Sequence, residues 1–337
     1  MSLVFPTAQE MKLIEQTLIP RITENRLGLQ LMPVVNSDYH ILSWEQKDNY
    51  TGLQAVRGLN GQPGRVNRIG ARRYTMEAGV YGEYTSVDEV EVTARRAWGS
   101  INTLVDISDL VAECQEHLLL RRYDRIEKII WDLLVTGTFS TSNEFGILHT
   151  DVFDIQTYDA TTWGTVSTAT PLVDFRAIQL LGRGTSNKFD AAAGAKAYMS
   201  RATFNYMVSN TNANDIAGRR VTGLLSPLTL SEINMILLGE GLPTIEIYDE
   251  GYLDSTGTFQ LYIPINKVVV VGGRPGGAKL GEYRMTRNAN NPGFAPGAYQ
   301  KVAYEPDEVP FKMDIHDGHN GGPVLYFPGG IVVMDVS

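Results

Sequence analysis

The chain has 337 residues, 43% of them hydrophobic, enough to bury a core in one large or two ordinary domains and too many for a disordered polymer. With 38 Asp and Glu against 29 Lys and Arg it carries a net charge of -9, which argues against a general nucleic-acid binder but not against a protein that surrounds nucleic acid without gripping it. A single cysteine, Cys114, excludes an intrachain disulfide framework, and no apolar run approaches the roughly 20 residues of a membrane-spanning helix. The first residues lack the charged-then-apolar pattern of a signal peptide, so a soluble, cytoplasmic product is expected.

Residues 1–38 open with an amphipathic helix. Thr7 is placed to cap it with Glu10 as capping-box partner, Met11, Ile14, Leu18 and Ile19 form its apolar face, and Pro20 is expected to end it. The remainder, broken by Gly28 and Pro33, reads as an arm that packs on something else. Residues 39–44 and 74–87 are rich in aromatic and β-branched side chains and predict strands. Between them lie Gly52, Gly58, Gly61, Gly64 and Gly70 together with Arg57, Arg65, Arg68, Arg72 and Arg73, and no acid falls between Asp48 and Glu77. So long a Gly-rich connection is improbable inside a compact domain unless it is functional or disordered. Flanked by strands, it reads as the tip of a two-stranded arm that needs a surface to lie on, supplied by another subunit. A basic loop for phosphates and a plain disordered loop are the rival readings.

Residues 106–136 hold the longest helical pattern. Asp106 is placed to cap it, Asp109 adds negative charge in the first turn, and Gly137 stops it. Ile107, Leu110, Val111, Cys114, Leu118, Ile126, Ile129, Ile130, Leu133 and Leu134 recur at spacings of three and four and predict an apolar stripe. The cluster Arg121, Arg122, Asp124, Arg125, Glu127 and Lys128 then forms a charged face offered to solvent or to a neighbouring subunit. The rod would be about 45 Å long, a spine across which the rest of the chain is laid.

Beyond it, 139–153 predict short strands and 154–169 a Thr-rich loop. A helix is expected over 172–181 with Val173, Ala177 and Leu180 as its stripe, a strand over 195–200, and a helix over 201–208 with Phe204, Met207 and Val208 inward. Residues 210–215 predict a surface turn and 231–238 another helix; strands follow at 244–250, 259–263 and 267–272. The mixture over 172–272 suggests an α+β domain with a covered sheet. Strands at 281–286, 298–304 and 309–315, a glycine-rich turn at 317–323, and a strand pair or kinked strand over 323–336 close the chain.

Two stretches suggest sites and do not carry them. Val268–Gly277 is a strand followed by glycines, but the residues after it lack the helix whose N-terminus would meet a pyrophosphate. His316, Asp317 and His319 sit together in what reads as a solvent turn, with His40, His117 and His149 scattered elsewhere. Neither a nucleophile elbow nor a Walker loop, an H-E-x-x-H or a C-x-x-C is present, so the sequence assigns no catalytic residue, no metal site and no cofactor.

The order of arm, long basic loop, spine helix, α+β domain and terminal strands, with the ending 266–336 (NKVVVVGG, GEYRM, FKMDIHDGHNGGPVLYFPGGIVVMDV), resembles the major capsid proteins of tailed phages, of the Hong Kong 97-type fold and the lambda-type branch, capsid protein family E. The resemblance covers essentially the whole chain. It implies an α+β fold with an N-terminal arm (1–38), an extended two-stranded E-loop (39–93), a peripheral domain (94–171 and 273–337, with the spine helix 106–136) and an axial domain (172–272). It implies a shell subunit, not an enzyme, that assembles into pentamers and hexamers of an icosahedral head enclosing double-stranded DNA. The subunit would be made in the host cytoplasm and end in the virion. Its partners would be copies of itself, a portal and a decoration protein, with no sequence-specific DNA contact and no membrane. An encapsulin-like shell around enzyme cargo shares the same resemblance.

Some family members carry a scaffolding segment ahead of the arm. This chain starts almost at once with the arm, so a separate scaffolding protein is expected. Others crosslink a lysine of the loop to a neighbour's asparagine; here Lys47, at the loop's base, is its lone lysine, and arginine is not a plausible nucleophile, so no crosslink is expected. Arg57, Arg65, Arg68, Arg72 and Arg73 are expected to meet acidic faces of adjacent subunits, with Glu246, Asp249, Glu250, Glu305, Asp307 and Glu308 as candidates. Arg121, Arg122 and Arg125 are expected on the charged face of the spine.

Overall fold

The structure, a computed structural model, describes residues 8–47, 53–66, 71–96, 105–142, 146–165, 167–184, 188–209, 228–274, 277–304 and 309–337. Its axis is the helix α4 (Ile107–Thr136). The apolar stripe does what its spacing predicts: Leu110, Val111, Leu118, Ile126, Ile129, Ile130, Leu133 and Leu134 are all buried. Gly137 ends the helix at φ 70°, its N–H donating to the Leu133 carbonyl at 2.8 Å. Asp106 holds the N-cap position, but its side chain makes no capping bond.

Against α4 lies a twisted sheet built on one long strand, β15 (Lys312–Leu325). One edge of β15 pairs antiparallel with β4 (Gly79–Asp88); the other pairs with β13 (Gly281–Met285) and β14 (Tyr299–Tyr304), and β13 pairs in parallel with β1 (Val34–Asn36). The run DGHNGGP, expected as a solvent turn, is therefore the middle of a buried strand. Its glycines serve close approach instead of reversal: a Cβ on Gly318 would lie 2.6 Å from the Tyr81 carbonyl oxygen and 2.7 Å from the Tyr299 ring.

The hairpin of β2 (Ile41–Lys47) and β3 (Ala71–Glu77) springs from this sheet, and β4 begins two residues later. The aromatic stretch 74–87 is thus two strands of different sheets. At the hairpin's base Leu42, Trp44 and Met76 are buried, with Trp44 stacked on Tyr74 and Phe153. A short helix α3 (Glu89–Ala94), capped by the Asp88 side chain, follows β4, and β5 (Thr138–Ser142) with β6 (Leu148–Val152) makes a second hairpin.

The second sheet runs β7-β16-β12-β8-β9: Gln156–Asp159, Ile331–Asp335, Lys267–Val271, Lys196–Met199 and Thr244–Ile247. Its centre, β12, is buried from Val268 to Val271, as a run without polar residues requires. The expected loop at 154–169 supplies the edge strand β7, parallel to β16. Helices α5 (Pro171–Leu181), α6 (Arg201–Val208) and α7 (Leu230–Gly239) cover it, with Phe204, Met207 and Val208 of α6 inward as read. The stripe expected on α5 faces out: Val173 is 53% and Leu180 55% exposed, while Leu172, Phe175 and Ile178 are buried. Both sets have helical spacing, and the one carrying the aromatic ring takes the core. A two-stranded ribbon, β10 (Gly251–Leu253) with β11 (Phe259–Leu261), projects beside α4.

The N-terminal segment packs on its own chain. Helix α1 (Ala8–Thr23) passes through Pro20 instead of ending there, since proline removes one N–H from the ladder while the next turn remains held against α4. Helix α2 (Leu27–Leu31) follows, also on α4. Thr7 and residues 210–215 lie outside the described residues.

Candidate assembly surfaces

The spine's charged cluster divides into two. Arg122 is buried, contrary to the expected solvent face. It pairs with Glu15 of α1 and, at 3.0 Å, with Asp317 of β15. The reason is helical spacing: Leu118, Leu119, Arg122 and Ile126 share the side that meets the sheet. Gln300 donates to Asp317 at 3.0 Å and receives from Gln115 at 3.0 Å, completing a buried polar chain across three elements. Burial nonetheless pushes the Asp317 carboxyl up to about 6, against the pull of Arg122.

Glu127 also faces inward, and Asp124 is half-buried beside the arm. Arg26 pairs with Asp124 at 2.5 Å. Glu127, fully buried, accepts four bonds: from the Gly28 and Leu29 N–H groups at 2.7 and 3.0 Å, from Trp131 Nε1 at 2.8 Å and from the Tyr248 hydroxyl at 2.7 Å. Three residues within six positions of the spine, Arg122, Asp124 and Glu127, thus hold the arm. His319, buried and bonded to the Tyr283 hydroxyl at 3.0 Å, is driven down to about 3 by desolvation, so it is a neutral core side chain and not part of a solvent turn.

Arg121 and Arg125 stay exposed. Arg121 forks onto Glu83 at 2.5 and 2.8 Å, and Arg125 has no ion pair among the described residues. They flank a groove of about 900 Å³ between α4, β4 and the β10–β11 ribbon, floored by Tyr81 and His319. Among the described residues no cluster of three or more His, Cys, Asp or Glu is arranged to hold a metal.

The loop between β2 and β3 is the second surface. Leu53, Val56 and Leu59 are fully exposed and Val66 largely so. Arg57 donates to the Gly61 carbonyl at 2.9 Å across a small turn. Arg65, Arg72 and Arg73 are exposed, and none of these four arginines has an ion pair among the described residues; Arg68 lies outside them. Of the acids expected to receive them, Glu246 pairs with Lys196 at 2.6 Å and Asp249 accepts from the Arg201 N–H at 2.6 Å. Glu250 is exposed, and Glu305, Asp307 and Glu308 lie outside the described residues. Sequence reading missed Glu127 and Asp317 as anchors; Gly28, needed for a close backbone approach, was the one local signal.

An arm, a two-stranded loop, a spine helix and two sheets in this order define a subunit of the Hong Kong 97-type capsid fold. The profile of the phage major capsid protein E family matches residues 40–280, more than two thirds of the sequence, and the chain belongs to that family. It is a major capsid protein of the tailed-phage class. Among solved structures it is similar to a protein described as the capsid protein of a prophage of Escherichia coli CFT073 (14% identity, 96% of this chain and 98% of that one, TM-score 0.60). It is also similar to a phage-related protein from Bordetella bronchiseptica RB50 (10% identity, 96% of each chain, TM-score 0.58) and to the capsid of a native GTA particle (10% identity, 92% and 90%, TM-score 0.50). No curated protein matches.

Proposed function

We propose that this chain is the head subunit that closes into pentamers and hexamers around double-stranded DNA, with residues 39–93 as the loop that each copy lays on its neighbour. Residues 1–38 serve as the arm, 94–171 and 273–337 as the peripheral domain, and 172–272 as the axial domain. Synthesis and assembly occur in the host cytoplasm, with a separate scaffolding protein, a portal and a decoration protein as partners, and the product resides in the virion.

One observation carries this reading. Leu53, Val56 and Leu59 stand fully in solvent beside cations that have no carboxylate partner among the described residues. Burying each of those side chains would release about 1.5–3 kcal/mol, and a shell multiplies that gain over many copies. The acidic balance suits an inner wall along which packaged DNA slides.

Changing Arg65, Arg68, Arg72 and Arg73 together to alanine is expected to reduce the yield of closed particles at least tenfold, counted by negative-stain microscopy, with the melting temperature of the unassembled subunit unchanged. Normal yield of intact shells would refute the clamp. Intact shells that fail to retain DNA would favour the phosphate reading of the loop instead.

A further inference from the structure

Among the described arginines, Arg274 stands apart. Others are exposed or hold a carboxylate; Arg274 is half-buried and its guanidinium has neither an ion pair nor a hydrogen bond to any described residue. It follows β12 and lines a cavity of about 320 Å³ whose other walls come from α2 (Leu27, Gln30), β8 (Lys196, Tyr198) and β9 (Glu246). Glu246 pairs instead with Lys196, whose Nζ lies 2.6 Å from Oε2, and makes no ion pair with Arg274. The Tyr198 hydroxyl offers no counter-charge, since burial and Glu246 hold it protonated. Desolvation pushes the Arg274 guanidinium below its ordinary range, as happens when a cation leaves water without an anion to meet it. The cavity therefore holds one uncompensated positive charge.

We infer that this cavity is a socket for a carboxylate side chain of a second copy of this chain. The guanidinium fork matches a carboxylate in two parallel hydrogen bonds. The volume lies at the low end of ligand pockets, room for the head of one side chain and not for a folded element. The chain has nine more acidic than basic residues, so identical copies bring carboxylates to one another's surfaces. The socket is walled by α2, so a carboxylate seated there would join the neighbour to the arm and to the second sheet at once. A free phosphate could offer the same oxyanion, and the experiment separates the two sources. The inference rests on the shell reading above.

The test is a density map of wild-type particles by cryo-electron microscopy, prepared with and without inorganic phosphate, together with the assembly yields of R274A, R274K and R274E. Expected is a side-chain carboxylate of an adjoining copy within hydrogen-bond distance of Arg274 in both buffers. Assembly should fall tenfold or more in R274A and further in R274E, fall less in R274K, and leave the melting of unassembled subunits unchanged. Reversing the acid seen in the map to arginine should rescue R274E. Wild-type shells with an isolated ion or no density at Arg274, or R274A shells at normal yield, would overturn the socket while leaving the shell reading intact. A wild-type chain that forms no shells in any buffer would bring down both.

Discussion

Replacing Glu127 by alanine is expected to destabilise the chain by about 4 kcal/mol. The estimate follows from what would be stranded. Helix α2 has five residues, and its N-cap, Arg26, supplies no side-chain cap. The cap comes instead from Glu127, which is 99 residues away and takes the N–H groups of Gly28 and Leu29, the second and third of the helix. Trp131 and Tyr248 donate to the same carboxylate, so alanine would leave four donors without an acceptor in a site that water does not reach. Each buried donor left unsatisfied costs roughly 1–3 kcal/mol, partly relieved by relaxation. Glutamine keeps the shape and can place its oxygen where Glu127 Oε1 receives three bonds; its NH₂ must then face the Leu29 N–H, so E127Q should lose about half as much. Urea midpoints would rank wild type, E127Q and E127A in that order. Trypsin would cut E127A after Arg26 before the rest of the chain opens, because the arm loses its anchor first. Equal midpoints and an equally protected Arg26 would show that the four bonds contribute nothing net.

What could be seen in the sequence divides along the same line. The spine was legible because its signal is local: apolar residues at spacings of three and four over 30 residues, ended by a glycine that adopts the left-handed conformation. The buried strand β12 was legible for the same reason, a valine run without polar interruption. Arg122 is buried against the expectation because charge is visible in sequence and the opposing surface is not; its partner Asp317 is 195 residues away. On α5 two helical stripes compete, and the one with Phe175 takes the core while Val173 and Leu180 stay exposed, a choice that spacing alone does not make. Local propensity assigns glycines to reversals and so predicts a turn at 317–323. Tertiary packing uses them differently: the Tyr299 ring lies across Gly318 and the hairpin's Met76 and Leu42 rest on Gly322, where a side chain would intrude. The exposed loop was the reverse case, legible as a problem the single chain does not solve: Gly-rich, basic and flanked by strands, with Leu53, Val56 and Leu59 left in water.

The strand that the glycines make possible also carries two opposed pH effects. Asp317 and His319 point from β15 toward α4 and are nearly fully buried. Around Asp317 stand Arg122 and Gln115 from α4, Glu15 from α1, Gln300 from β14 and Glu83 from β4; His319 faces Arg122, Arg125, Tyr81 and Tyr283. Asp317 titrates near 3.8 in an unfolded chain and at about 6 in the native one. Between those values the native state holds a proton that the unfolded state has lost, so this group stabilises the fold at the acid end and the contribution disappears as pH rises toward 6. His319 works the other way. It falls from 6.5 to about 3, so below 6.5 the unfolded chain gains a proton that the native state refuses, and stability is lost as pH falls. From about pH 4 to 6 the two slopes, each about 1.4 kcal/mol per pH unit, oppose one another and nearly cancel. The wild-type urea midpoint should therefore owe little net slope to this pair in that window. H319Q removes one slope, and the variant should gain about 3 kcal/mol on going from pH 6 to 4 relative to wild type. D317N removes the other and should lose a similar amount over the same interval, beyond any constant offset from weakening the bond to Arg122. The comparison of slopes isolates proton linkage from packing, since an ordinary structural defect shifts a midpoint at every pH alike. Two variants whose profiles run parallel to wild type would mean that neither group changes its proton affinity on folding, and that Asp317 serves Arg122 as a permanently ionised partner.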